Sequence, residues 1–218
     1  MAQAIEAFDH AARMDAIYRG QRHIYDLTRK YYLLGRDRLI EELDCQPGQA
    51  VLEVGCGTGR NLVKIARRWP GASLHGLDIS AEMLASARAS LTRAGLGESA
   101  RLVRGDATGF DPLFLFGRKD FDRIVFSFTL SMIPGWKEAL EQACACLAPG
   151  GRILVVDFGA QERLPRAFAR ALHAWLRRFH VTPRGELTAT IDALAAEHGL
   201  VARSRSLYRG YSLLCRLG

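Results

Sequence analysis

The residues best suited to chemistry are glycines and carboxylates at the ends of short apolar runs. Ala50–Val54 is such a run, with β-branched positions, and Gly55, Gly57 and Gly59 follow before a helical stretch that ends at Arg68. A strand, a glycine turn and a helix start in that order form a nucleotide-binding corner. Glycine lets a ligand approach the backbone closely, and the helix N-terminus offers free N–H groups. The spacing is Gly-x-Gly-x-Gly, with Glu53 two residues before the first glycine. It matches neither the Gly-x-Gly-x-x-Gly dinucleotide fingerprint nor the phosphate loop with its Lys-Ser/Thr. A second carboxylate, Asp78, closes the short strand Ser73–Asp78, 23 residues after Gly55. That is the spacing of a ribose-binding acid, which can accept both hydroxyl protons of the sugar. An acidic surface turn is the alternative. Ser80 suits a helix N-cap, with Met83 in the first turn that it caps.

A different set of polar residues precedes this corner. Tyr18, Arg22, Tyr25, Arg29, Tyr32 and Arg36 recur at helical intervals and share one face wherever the helix continues. Beside them Ile17, Ile24, Leu27, Tyr31 and Leu34 make an apolar face, so 9–44 reads as helical, with Gly20 and Gly35 as break points. The Tyr/Arg stripe is either a solvated helix rim or the wall of a ligand cleft. In the second case guanidinium forks would grip a carboxylate or phosphate, and the rings would face a cation.

The elements that must position these residues alternate regularly. Arg101–Asp106, Phe121–Phe128 and Arg152–Phe158 are three further strands, the last following a Pro149-Gly150-Gly151 turn. Val201–Tyr208 and Tyr211–Leu217 form a terminal hairpin about Arg209-Gly210. Strands separated by helices mean parallel crossover units. The prediction is an α/β fold: a three-layer, Rossmann-like, seven-stranded, mostly parallel sheet with one antiparallel strand. Residues 1–44 would be an N-terminal helical lid and 45–218 the main domain.

Composition narrows the classes. Half of the 218 residues are hydrophobic and a quarter charged, which suits a globular domain. Met1–Ala11 has no basic-then-apolar run, and the nearly apolar Ile124–Pro134 is too short to cross a bilayer. Five cysteines in apolar segments read as reduced, buried thiols, and no metal site is expected, because nothing beside Cys144 and Cys146 completes a ligand set. The net charge of +7 sits mostly in residues 160–218, with ten basic and four acidic side chains. Such a patch suits nucleic acid or an anionic membrane. Arg163–His180 concentrates it on an amphipathic stretch in which Leu164, Phe168, Leu172, Trp175 and Phe179 share a face. That pattern fits an anionic lipid interface, or else a core-packed helix with a solvated basic side.

The glycine corner and the two strand-end acids resemble those of class I S-adenosylmethionine-dependent methyltransferases. Tyr18–Asp37, Cys56–Asn61 and Leu130–Trp136 resemble, more narrowly, the bacterial betaine-lipid N-methyltransferases, which trimethylate diacylglyceryl-homoserine. The resemblance implies S-adenosylmethionine as cofactor, S-adenosylhomocysteine as product, and a helical lid over the cofactor. It implies cofactor contacts from Glu53, Gly55, Cys56, Gly57, Thr58 and Asn61 in the corner. Further contacts would come from Asp78, Ile79, Met83, Asp106, Ala107 and Ser127 at the strand ends, with Asp106 and the Ala107 amide on the adenine. Tyr25, Tyr32 and Trp136 are the candidates for caging the ammonium at the reacting centre. Arg22, Arg29, Arg36 and Met132 are the candidates for holding the substrate. No dedicated base is visible; transfer is an in-line displacement that needs positioning and desolvation of the amine. The expected partner is a lipid at the cytoplasmic face of the inner membrane, bound peripherally through Arg163–His180. A homo-oligomer is left open. Phosphatidylethanolamine N-methylation and quinone-type C-methylation are the rival enzyme readings. RNA methylation or RNA binding through the basic C-terminal quarter is the non-lipid one, disfavoured because no separate RNA-binding module is visible.

Overall fold

The computed structural model describes residues 33–179 and 181–218. Seven strands form one sheet: β1 (Ala50–Val54), β2 (Ser73–Asp78), β3 (Ala100–Arg104), β4 (Phe121–Ser127), β5 (Leu147–Phe158), β6 (Ala202–Leu207) and β7 (Ser212–Leu217). Their order is β3-β2-β1-β4-β5-β7-β6. β1 to β5 pair in parallel, and β7 runs antiparallel to both neighbours. The central strands β1 and β4 are buried along nearly their whole length, which is why they read as continuous apolar runs rather than as alternating ones.

Helices cover both faces. On one side lie α1 (Arg36–Glu41), α2 (Arg60–Arg68), α3 (Ala81–Arg93) and α6 (Arg166–Arg178), burying Leu39, Leu62, Ile65, Leu91 and Leu176 against Val51, Val125 and Val156. On the other, α4 (Pro112–Phe116), α5 (Trp136–Ala145) and α7 (Leu187–Glu197) bury Phe116, Leu140 and Ile191 against Leu52, Ile124 and Val155. The predicted three-layer sheet with one antiparallel strand is thus the observed fold. Among the described residues no helix is long and apolar enough to cross a membrane.

The ends of β3, β4, β6 and β7 shift by one or two residues from the sequence reading, and two boundaries differ by more. β5 begins at Leu147 rather than Arg152, because Phe121 pairs with Leu147 and an irregularity between Phe121 and Arg123 absorbs the Pro-Gly-Gly segment. Of the lid expected over 1–44, residues 1–32 lie outside the described residues. Gly35, at φ +108°, starts the separate short helix α1, and a Cβ there would stand 3.0 Å from Val156 Cγ2. Leu33, Leu39, Ile40 and Leu43 are buried in the core, so 33–44 packs as part of the main domain.

The exit from α1 is pinned by a buried cation. Arg123, at the start of β4, donates from Nε to the Leu43 carbonyl (2.7 Å) and reaches the Asp44 and Asp122 carbonyls as well. Arg123→Met would leave those carbonyls unpaired, costing about 2–3 kcal/mol. Thermal denaturation should show Tm lower by about 4–12 °C for a chain of this size.

Candidate cofactor and acceptor site

The strand order reverses between β2-β1 and β4, so the crevice of the sheet lies at the carboxyl ends of β1 and β4. The glycine loop sits there. The Gly55 and Cys56 N–H groups both donate to the Leu77 carbonyl at 2.8 and 3.0 Å, locking the loop to the end of β2. Gly55 has φ +69°, and a Cβ on it would fall 2.2 Å from Thr129 Cγ2, so no other residue fits.

Asp78 organises the corner. Its Oδ2 accepts from Gly57 N–H at 2.8 Å and its Oδ1 from Ser80 N–H at 3.0 Å. A carboxylate at a strand end is the group type that accepts from a vicinal diol. Ser80 Oγ accepts from Met83 N–H at 3.2 Å, as an N-cap does. At the end of β3, Asp106 Oδ1 takes both the N–H and the hydroxyl of Thr108, at 2.9 and 2.8 Å, leaving Oδ2 available beside Ala107.

Glu53 lies beneath the loop. It is 2% exposed; its Oε1 accepts from Asn61 Nδ2 at 2.7 Å, and its Oε2 is buried with no hydrogen-bond partner. Burial pushes its carboxyl up to about 8, while the Asn61 hydrogen bond and the nearby Arg36 pull it back. A buried acid oxygen at the end of β1, without a partner among the described residues, is the kind of atom that a cationic ligand group satisfies. Cys56 is buried, and desolvation raises its thiol well above the usual range, so it serves through its backbone. Thr58 and Ile79 are half-buried at the mouth, and Ser127 Oγ, at the end of β4, is buried and unpartnered. Hydrogen bonds thus tie the glycine loop, Asp78 and the start of α3 to one another, and Glu53 to Asn61, while Asp106 follows β3 and Ser127 ends β4.

Beyond β4 the chain turns through Leu130–Ile133. Ser131 N–H donates to Asp157 Oδ2 at 3.0 Å, and Arg184 donates to the Leu130 and Ile133 carbonyls at 3.0 and 2.7 Å. Asp157, at the end of β5, is buried, which raises its carboxyl, and Phe158 N–H holds the other oxygen at 2.7 Å. Acid and guanidinium thus clasp the corner that carries Met132. Phe128 has φ +55°, unusual for a non-glycine residue and a mark of functional sites. Its ring stacks at 4.8 Å on Phe158, which lies 6.0 Å from Tyr211.

Tyr25, Tyr32, Arg22 and Arg29 lie outside the described residues. Arg36 is buried, donates to the Leu33 carbonyl and faces Glu53 electrostatically. Trp136 is buried in the core with Lys137 and Arg184 cations 5.4 and 5.7 Å from its ring, so its π-surface is already engaged. The sequence reading missed the Phe128–Phe158–Tyr211 stack and the Asp157–Arg184 clasp. The only available signal was an acid followed by an aromatic at a strand end, which periodicity reads as core. Among the described residues no group of three or more potential metal ligands is brought together.

Comparison with known proteins agrees with this geometry. Residues 51–151 match the family described as a methyltransferase domain. The ubiquinone/menaquinone biosynthesis C-methyltransferase UbiE of Cereibacter sphaeroides is 31% identical over 125 residues, 57% of this chain and 48% of that protein. A demethylmenaquinone methyltransferase of Mycobacterium tuberculosis is 32% identical over 175 residues, 78% of this chain and 66% of its own. The chain therefore spans about half the length of the first of these curated relatives. Haemonchus contortus phosphoethanolamine N-methyltransferase 2, solved with S-adenosyl-L-methionine, shares the fold: TM-score 0.62 at 19% identity, over 79% of this chain and 38% of that one.

Two outcomes test the crevice. Asp78→Asn keeps the shape but weakens one of two charge-assisted bonds, each worth about 1.5–3 kcal/mol, so calorimetry should find S-adenosylhomocysteine bound about 10- to 100-fold more weakly. Glu53 titrates higher folded than unfolded, so its contribution to stability is full below pH 4.5 and is lost as pH rises through about 8. Urea unfolding of the ligand-free protein from pH 5 to 9 should show that decline, and Glu53→Gln should flatten it.

Proposed function

We propose that the chain is a class I S-adenosylmethionine-dependent methyltransferase, as the methyltransferase-domain match over 51–151 supports, and that it N-methylates the amine head group of a membrane lipid, foremost diacylglyceryl-homoserine to diacylglyceryl-trimethylhomoserine. The observation that carries this reading is the Leu130–Trp136 block. It is one of the segments that resemble the betaine-lipid N-methyltransferases, and it forms the clasped corner beside the cofactor crevice. The cofactor supplies an electrophilic methyl group on sulfonium. The protein's share is to orient the amine, exclude water and favour loss of its proton, and desolvation at the buried strand ends serves all three.

Phe128, Phe158 and Tyr211 are buried together in the core behind the end of β4 and stiffen the corner rather than offering a free ring. Aromatic faces suit an ammonium that gains methyl groups in succession, and Trp136 remains a candidate for that role. On the resemblance alone, Tyr25 and Tyr32 are the candidates for facing the ammonium and Arg22 and Arg29 for the homoserine carboxylate. The enzyme works peripherally on the cytoplasmic face of the inner membrane. The names of the curated relatives favour a second reading, C-methylation of a polyprenyl quinol precursor.

The assay offers labelled S-adenosylmethionine with diacylglyceryl-homoserine, phosphatidylethanolamine and a demethylated polyprenyl quinol in separate mixed micelles. Label should enter diacylglyceryl-homoserine at the highest kcat/KM and leave the quinol ring unlabelled. Label in the ring alone would transfer the chain to the quinone reading. Chloroform-soluble label from neither amine lipid would reject the lipid-amine reading.

A further inference from the structure

The helix α6 packs on the same face of the sheet as α1, α2 and α3. It follows β5 through residues 159–165, and its far end brings Phe179 onto Met83, with Met132 packed against the same methionine. The Trp175 and Phe179 rings lie 4.8 Å apart there. Along the inner stripe Leu172 and Leu176 are buried. Phe168, one turn before Leu172 on that stripe, is 52% exposed, so the apolar face overhangs the protein by a turn.

The charges on α6 are uncompensated. From Arg163 to Phe179 there are five arginines and no acid. Arg163, Arg166, Arg170, Arg177 and Arg178 are all exposed, and among the described residues none forms an ion pair or side-chain hydrogen bond. Elsewhere exposed arginines do find acids, as Arg38 does with Glu41 and Arg205 with Glu42, and so do the half-buried Arg60 with Asp37 and Arg152 with Asp44. The hairpin between β6 and β7 extends the same rim. Gln161 N–H donates to the Gly210 carbonyl at 2.8 Å and Gly159 N–H to the Tyr211 carbonyl at 3.0 Å, which sets the exposed Tyr208 and Arg209 beside the approach to α6.

We propose that α6 and the Tyr208–Arg209 turn dock on an anionic lipid bilayer, and that this docking holds Phe179 over Met83 and so strengthens cofactor binding. Phe168 and Tyr208 enter the headgroup layer while the arginines meet lipid phosphates, a pairing of apolar overhang and cations that a purely electrostatic partner does not need. Because one helix would meet the bilayer through its overhanging first turn and exposed arginines and Met83 through its far end, the two affinities are linked and must change by the same factor. The inference deepens the lipid-acceptor reading and rests on it for the identity of the bilayer's cargo. Its test uses lipids without a methyl-accepting amine, so the two can fail separately.

The full chain is sedimented with vesicles of phosphatidylcholine alone or with about a third phosphatidylglycerol, with and without S-adenosylhomocysteine, across a salt series. Binding should require the anionic lipid and weaken with salt. It should fall at least tenfold in Arg166→Glu/Arg170→Glu and several-fold in Phe168→Ala, whose exposed positions leave the fold intact by circular dichroism. Anionic vesicles should tighten S-adenosylhomocysteine several-fold in the wild type and not in the arginine variant. Three results overturn the proposal: equal binding to neutral vesicles, unchanged binding in both variants, or vesicle binding with no change in cofactor affinity. Retention on RNA without vesicle binding would assign the face to nucleic acid and overturn it as well.

Discussion

One carboxylate receives two backbone N–H groups from opposite sides of the crevice, and the functional half of this fold depends on it. Asp78 holds Gly57 in the loop after β1 and Ser80 at the start of α3. It therefore joins two crossover units whose strands are only neighbours in the sheet. Charge-assisted bonds of this kind are about twice as strong as neutral ones, and here they act at the point where a ligand must also bind. The loop needs an anchor of that strength because Gly55 and Gly59 have no side chains with which to hold it, and because α2 begins without a side-chain cap. The open first turn of α2 then remains for a ligand.

A second clasp does for the acceptor side what Asp78 does for the cofactor side. The turn after β4 has few bonds of its own, mainly those from Met132 and Ile133 back to the Thr129 carbonyl. Asp157 and Arg184 bind it from outside, and both groups are driven toward neutrality by burial while their partners hold them charged. They contact backbone rather than each other's side chains in the described bonds. Breaking either would therefore move Met132, which also touches Met83. The two sides of the site are mechanically connected through a pair of methionines, residues well suited to packing that must adjust.

Most of the fold was legible because its signals are local. Apolar β-branched runs bounded by glycine define the central strands, and acids at their ends define the crevice. What was not legible required three dimensions. Trp136 looked like an exposed aromatic at a strand-end corner, yet the chain returning at Arg184 covers it. Phe128 and Phe158 looked like core residues in two separate strands, and only the β4–β5 register brings their rings together. The start of β5 was misread because a Pro-Gly-Gly segment normally ends pairing, whereas here a local irregularity carries the ladder through it. The amphipathic stripe of α6 was visible, but whether Phe168 is covered depends on how far the helix extends past its support.

The polar groups that the fold leaves unpaired follow the same geography. Glu53 Oε2, Ser127 Oγ, Ser131 Oγ, the Gln161 amide and Ser212 Oγ are the buried side-chain atoms without a hydrogen-bond partner among the described residues. Each belongs to the carboxyl end of a central strand, to the loop that follows one, or, for Ser212, to the position paired with Phe158 at that end. An unsatisfied buried polar group costs about 1–3 kcal/mol, a large fraction of the stability of a domain. Random imperfections would be scattered over both edges of the sheet. Concentrated on one edge, they form a surface already desolvated and short of partners, so a polar ligand arriving there supplies bonds that the protein lacks. The edge that weakens the folded chain is thus the edge prepared to bind.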